Sequence, residues 1–447
     1  MAGTPKSNPS ANGRDLSRRD FLVNSAAATA ATAAATASLM STGNYAFAAG
    51  GDTMRIGIIG CGGRGSGAVA NACESSPGVE LVAMADLFPD HLENKKKAFA
   101  QALGDKFKVT DDHCFTGFDA YKKLLATDCN YVILATPPGY RPLHLRAAVE
   151  AGKNVFFEKP VAVDGPGVRS VIESGELARA KGLSLVTGTQ RRHQPPYLEA
   201  MKRIHDGMIG DVVGGQIYWN GGGLWMFPRE AGWSDSEWQH RNWYYFTWLC
   251  GDHIVEQHVH NIDVMNWVMN GPPVRAIGMG GRQVRTDPAY GHIYDHFACE
   301  FEFANGARFQ SMCRHHDKTP GNVSERIVGT KGRSHTVDGN RYAITPYSGE
   351  AWNYKGPTPN PYVVEHADNI AAIRAGKPMN EARRIAESTC TAILGREACY
   401  TGQDLTFDQV LNCKTVLMPP NTSFEASIAV PPVAMPGKTQ LERAWNG

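Results

Sequence analysis

Gly60-Cys61-Gly62-Gly63-Arg64-Gly65 stands directly behind a short apolar run and directly ahead of a helical pattern. No other feature restricts the fold of this chain as much. Residues 55–59 read as a buried strand, and the alanine-rich stretch 68–72 reads as the helix that follows. A bare G-x-G-x-x-G is a weak signal. Between a strand and a helix its glycines permit a tight turn and let a pyrophosphate approach the helix N-terminus. Further apolar runs at 80–85, 131–135 and 154–157 alternate with helical patterns. That alternation predicts a parallel, doubly wound α/β sheet, a Rossmann domain spanning 54–180.

Within this frame Gly60, Gly62, Gly63, Arg64 and Gly65 are cofactor-binding candidates, and Asp86 closes the second strand. An acid at that position accepts hydrogen bonds from a ribose diol and repels a 2′-phosphate, which favours NAD over NADP. Arg64 could hold a 2′-phosphate, contact the pyrophosphate or simply be solvated. Thr136, Pro137 and Arg141 occupy the turn after the strand 131–135, at the carboxyl edge where ligands bind. For Arg141 the alternative is a surface position at a helix start. Lys159 follows the strand 154–157, and a lysine there can place its ammonium beside a nicotinamide ring. A substrate hydroxyl must lose its proton there as hydride leaves. Glu158 either balances Lys159 or sits beside the nicotinamide ribose.

After residue 180 the pattern changes. Runs at 212–219, 274–283, 297–303 and 308–313 read as strands of an open, largely antiparallel sheet, and 362–373 and 381–400 as helices returning to the core. The expected second unit is an α+β domain over 181–415, followed by an extended or disordered arm over 416–447. The segment 251–263 concentrates acid and histidine. Read as one helix, it puts Glu256 and His260 on a shared face, where both could approach one substrate carbon. His260 is then an acid/base candidate, with Glu256 orienting it or tuning Lys159. His258 and His260 would point about 200° apart on that helix, so no metal is expected. Gln190 and Arg191 are substrate-binding candidates at a strand end, with Tyr244 in an aromatic-rich stretch that serves as packing or as a sugar platform. Arg282, Arg285, Tyr290, His292, Tyr294, Asp295 and His296 form a second polar cluster of substrate candidates.

The glycine loop, Asp86, Ala151-Gly152-Lys153-Asn154-Val155 and Glu158-Lys159-Pro160 resemble the glucose–fructose oxidoreductase, inositol dehydrogenase and MocA-type (Gfo/Idh/MocA) superfamily. The resemblance implies a catalytic role for Lys159 and places Glu256 and His260 where the family often has Asp-x-x-x-His. It also implies a homodimer or homotetramer. Arg141 departs from the family, which often has histidine there. The resulting expectation is an NAD-linked oxidoreductase acting on a secondary hydroxyl of a sugar, glycoside or cyclitol. Two alternatives remain. One is an NAD-dependent glycoside hydrolase of the alpha-N-acetylgalactosaminidase type, working through transient oxidation at C3. The other is a non-catalytic dinucleotide-binding protein.

Composition and targeting narrow the setting. The 447 residues carry 45 basic and 44 acidic side chains with no long single-sign run, which argues against nucleic acid as a partner. Ser17-Arg18-Arg19-Asp20-Phe21-Leu22, the soft apolar run 26–40 and Ala46-Phe47-Ala48 read as a twin-arginine signal over residues 1–48. That run is too rich in alanine and threonine for stable membrane insertion. Export in the folded state would carry a preloaded dinucleotide, and free cofactor is scarce outside the cytoplasm, so tight retention is expected. The ten cysteines lack metal spacing and read as free, mostly buried thiols. A two-residue turn at Asn305-Gly306 would set Cys299 opposite Met312 and Cys313 opposite Ala298, with the two thiols on opposite faces.

Overall fold

A computed structural model describes residues 53–337 and 341–444; the twin-arginine segment and its cleavage site lie outside the described residues. β1 (Met54–Ile59), α1 (Gly63–Ser75), β2 (Val79–Asp86), α2 (Pro89–Leu103), β3 (Cys114–Thr116), α3 (Ala120–Leu125) and β4 (Tyr131–Leu134) open the chain. α4 (Arg141–Glu150), β5 (Asn154–Phe157), α5 (Gly165–Lys181) and β6 (Leu185–Thr187) complete a six-stranded parallel sheet of order β3-β2-β1-β4-β5-β6. Helices cover both faces, so β4 is buried along its whole length and reads as an unbroken apolar run. This sheet runs past residue 180. β6 is only three residues long and ends just ahead of Gln190 and Arg191, so the strand end read there closes the parallel sheet.

The second sheet follows α6 (Pro195–His205). Its strands are β7 (Val212–Gly221), β8 (Arg275–Gly281), β9 (His296–Glu302), β10 (Arg308–His315), β11 (Asn322–Gly329), β12 (Gly332–Val337), β13 (Arg341–Pro346), β14 (Trp352–Asn353) and β15 (Leu405–Thr406). The order is β14-β13-β12-β11-β7-β10-β9-β8-β15. Neighbours are antiparallel except β7 and β10, which run parallel. Between β7 and β8 lie α7 (Asp235–Arg241), α8 (Thr247–Cys250), α9 (His253–Glu256) and α10 (Val259–Val268). α11 (Pro361–Arg374), α12 (Ala382–Thr401) and α13 (Phe407–Leu411) follow β14, with β15 leading into α13. Ile370 of α11 joins the core of the first sheet, while Ile385 and Ile393 of α12 pack with Phe301 of β9. These returning helices join both sheets into one body.

Two expectations are corrected, the hairpin register and the single helix over 251–263. The turn between β9 and β10 is longer by one residue than the Asn-Gly reading assumed. Phe303 pairs with Ala307, and Gly306 adopts φ +81, the left-handed position that closes a three-residue loop. Cys299 therefore faces Ser311 and Cys313 faces Phe297. Cys299 and Cys313 thus share the inner face, and all ten cysteines are free. The segment 251–263 is two helices, α9 and α10, rather than one. Residues 416–444 form an arm laid on the body: Leu417 donates to Asp164, and Arg443 pairs with the buried Glu397 of α12.

Candidate active site

The glycine loop sits where β1 ends. Gly60 has φ +98 and no room for a side chain, because a Cβ there would meet the backbone of Ala135 and Thr136 at 2.7 Å. A Cβ at Gly65 would collide with the Gly60 carbonyl, so Gly65 lets α1 pack close against β1. Above Gly62 and Gly63 the space is open, with nothing within 4 Å of a Cβ. A cavity of about 140 Å³ begins here, walled by Gly60, Gly62, Asp86, Thr136 and Pro137 at the carboxyl ends of β1, β2 and β4. Asp86 accepts from the Cys61 and Phe88 backbone amides and presents its remaining lone pairs at the cavity wall. An open cradle over a helix N-terminus and an acid at the ribose position fit a dinucleotide.

Several cofactor candidates are placed differently from expectation. Arg141 turns inward: its guanidinium is buried and donates to the Leu134 and Thr136 carbonyls. It braces the turn, and burial lowers its pKa to about 10. His144, one helical turn later, lines the cavity instead and binds the Thr136 hydroxyl at 3.1 Å. Arg64 reaches across the loop to pair with the buried Glu158, and its plane lies 4.7 Å from the ring centre of Tyr362. It also lies 3.8 Å from Glu365 of α11. Glu365 is buried with no hydrogen bond to either oxygen, and burial followed by repulsion from Glu158 raises its pKa well above the ordinary carboxyl value.

Lys159 emerges from the carboxyl end of β5. Its ammonium donates to the Glu256 backbone carbonyl at 2.7 Å and lies 3.5 Å from the Glu256 carboxylate. Burial raises the Glu256 pKa to about 7, against the opposing pull of Lys159 and Arg141. His260 is buried and stacked on Trp219, with ring centres 5.5 Å apart. Burial first, then the nearby Lys159 charge, pushes its pKa well below the ordinary histidine range, so the ring is neutral. α9 and α10 thus bring Glu256 and His260 toward Lys159 although the helix between them is broken. His258 faces away and bonds Ser311.

Asp252 sets up this arrangement. It has φ +81 and caps α9 by accepting from the His253 amide. It also accepts from the Tyr294 amide and the Tyr400 hydroxyl. A Gly-Asp pair ahead of a helix carries a capping signal, but nothing local in the sequence announces the long-range partners. Glu365 had no local signal at all.

The expected substrate groups lie one layer back. Arg191 is buried and paired with Glu325 at 2.8 Å, and its plane lies 5.9 Å from the Trp219 ring that carries His260. Gln190 donates to Tyr362, and Tyr244 bonds His253. The second polar cluster is an internal scaffold. Asp295 accepts three backbone amides, 283 to 285, through one oxygen and meets His296 and His316 through the other. Among the described residues these three are the group whose ligand atoms converge as a metal would require, and Asp295 is already saturated.

Fold and site together define a protein with a dinucleotide-binding fold and a cluster of Lys159, Glu256 and His260 at the carboxyl edge of its parallel sheet. Residues 54–189 match the family model for the Gfo/Idh/MocA oxidoreductase family, NAD-binding Rossmann fold, and residues 197–335 match the GFO/IDH/MocA C-terminal domain. The two segments span more than half of the chain, and the chain belongs to this family. It is similar to an inositol 2-dehydrogenase of Rhizobium meliloti, at 32% identity over 36% of this chain and 43% of that one. It is also similar to a glycosyl hydrolase family 109 protein of Streptomyces coelicolor, at 28% identity over 41% of this chain and 36% of the other. The chain covers less than two thirds of the length of the first curated relatives it matches. Among solved structures, a levoglucosan dehydrogenase in complex with NADH and levoglucosan has the same fold. Its TM-score is 0.64 at 17% identity, covering 80% of this chain and 100% of that one.

Proposed function

We propose that this protein transfers hydride between a secondary hydroxyl of a sugar, glycoside or cyclitol and a bound NAD. The observation that carries the reading is the convergence of Lys159, Glu256 and His260 at the same sheet edge as the glycine-loop cavity. When bound, NAD supplies the hydride acceptor. Gly62 and Gly63 leave open space that would take its pyrophosphate, and Asp86 on the cavity wall would accept from its ribose hydroxyls. Lys159 spends one N–H on the Glu256 carbonyl and faces the carboxylate with a second, leaving a third for the substrate oxygen. Once Lys159 has passed a proton to the Glu256 carboxylate, the free amine turns its lone pair to the substrate oxygen and takes the hydroxyl proton as hydride leaves. Glu256 is ionised above about pH 7, so it is the better destination for the proton. His260, held neutral, is a hydrogen-bond partner that orients the hydroxyl.

The family context supports this chemistry: the relatives include inositol dehydrogenases, and one solved neighbour holds NADH with a sugar. The likeness to a family 109 glycosyl hydrolase favours a second reading, in which the same hydride step starts glycoside cleavage. Export through the twin-arginine route belongs to the proposal and rests on Arg18-Arg19 and the run behind them. So does self-association. The outer face of the second sheet carries a row, Met279, Ala298, Met312 and Tyr218, in direct cross-strand register. Met279 is 78% exposed and Met312 42%.

Mass spectrometry of the purified protein for bound dinucleotide, followed by a sugar and cyclitol panel read at the reduced-nicotinamide absorbance, tests the reading. Reduction of bound NAD by a polyol is the expected outcome. Release of nitrophenol from a nitrophenyl glycoside without net NADH would decide for hydrolysis. Binding without either reaction would leave only a dinucleotide-binding protein.

A further inference from the structure

The cavity that fits the adenosine half of NAD is not walled by the first domain alone. His240, at the end of α7, and Trp243 line it together with Phe88, Phe118 and Tyr140. α7 is fastened to the Rossmann rim at two points. Arg241 lies 4.0 Å above the Phe88 ring and makes two hydrogen bonds of 3.1 Å to Asp90, while His240 meets the Tyr140 hydroxyl at 2.7 Å. The C-terminal arm closes over the same rim. Phe424 stacks on Phe88 with ring centres 5.6 Å apart and packs against Phe118 at 5.1 Å. The arm is bound in turn to α7. Ser236 donates to the Thr422 carbonyl at 3.0 Å and Gln239 to that of Ile428 at 2.5 Å. Helix and arm therefore form one unit that meets the rim at Phe88, Phe118 and Tyr140 of the cavity wall and at Asp90 beside it.

We propose that α7 and residues 417–428 of the arm are a strap over the adenosine half of the dinucleotide, which retains the cofactor between turnovers. This rests on the NAD reading above. An adenine ring leaving the cavity must part the Phe424 stack and the Arg241–Phe88 contact. The Arg241–Asp90 pair is half exposed on the Asp90 side and contributes little alone. Aromatic packing carries the closure and the ion pair sets its register. Lys159 and Glu256 are not among the residues lining this cavity, so opening the strap changes retention without removing the reacting groups.

The test is the dissociation rate of NAD from the full-length protein, followed by chasing bound NAD with excess isotopically labelled NAD and weighing the complex. Wild type should release NAD at least tenfold more slowly than Phe424→Ala and than Arg241→Ala, with Val433→Ala, elsewhere on the arm, behaving as wild type. Phe424→Leu keeps the bulk without the ring and should fall between, which separates lost stacking from a misfolded arm; melting temperatures of all variants monitor the fold. Equal rates in wild type, Phe424→Ala and Arg241→Ala would overturn the strap while leaving NAD binding intact. If none of the proteins holds NAD, the functional reading falls and takes the strap with it.

Discussion

In the proposed mechanism the chemistry turns on Lys159, which would face the substrate oxygen while it meets the Glu256 carboxylate. Lys159→Ala should leave bound NAD in place and slow single-turnover reduction by about 10²–10⁴-fold, the usual worth of acid–base assistance. His260→Ala should also slow it. In the double variant the two losses should combine less than additively, since both groups serve one hydroxyl. Near-normal hydride transfer in Lys159→Ala would remove the mechanism. Glu256 makes a pH-dependent prediction. Its folded pKa of about 7 lies above the ordinary 4.5, so the native protein keeps a proton there that the unfolded chain releases. Stability from this group is full below about pH 4.5 and falls as pH rises toward 7. Glu256→Gln should therefore gain melting temperature relative to wild type between pH 5 and pH 8. The rise in kcat/KM through pH 7 should disappear in the same variant.

The turn Gly251-Asp252 and helices α9 and α10 do at the scale of elements what one helix was expected to do. An unbroken helix would align Glu256 and His260 on one face. Here the break at Gln257 and His258 sends His258 toward β10 while Glu256 and His260 both approach Lys159. Asp252 holds that geometry through bonds to β9's approach and to α12, elements far away in sequence. Asp252→Ala would leave three buried donors, the His253 and Tyr294 amides and the Tyr400 hydroxyl, without this acceptor, at about 1–3 kcal/mol each. A fall in melting temperature accompanied by loss of kcat is the expected result. Unchanged kcat in a destabilised protein would mean that Asp252 supports only the fold. The β9–β10 hairpin shows the same limit on local reading. An Asn-Gly pair marks a turn, but loop length decides the register, and one residue moved every side chain to the opposite face.

For the molecule as a whole, two proposals reach beyond the single chain. Met279→Lys with Met312→Lys puts charges in the middle of the exposed outer row of the second sheet. If that face joins two copies, light scattering should show the mass of the variant reduced to that of one chain with NAD binding intact. A wild type already of that mass would end the proposal. Arg18→Lys with Arg19→Lys should hold the protein in the cytoplasm in a bacterial export assay, and normal export of the double variant would count against the twin-arginine route.

The parallel sheet, its glycine loop and the position of Lys159 were legible in the chain itself. They follow from local rules: unbroken apolar runs for strands covered on both faces, glycine where a side chain would strike backbone, a loop residue at a strand end. Of the second sheet only β7, β8, β9 and β10 were legible as strands; β11 to β15, the nine-strand order and the parallel pairing of β7 with β10 were not. Tertiary packing decided what each charged side chain does. Arg141, Arg191 and the cluster around Asp295 have the composition of ligand-binding groups, yet each is consumed by buried partners. Conversely Asp252, Glu365 and the strap of α7 and Phe424 gained their places from contacts about 40 to 340 residues apart. A charge costs too much to bury without a partner, and which partner arrives is settled only when distant elements meet.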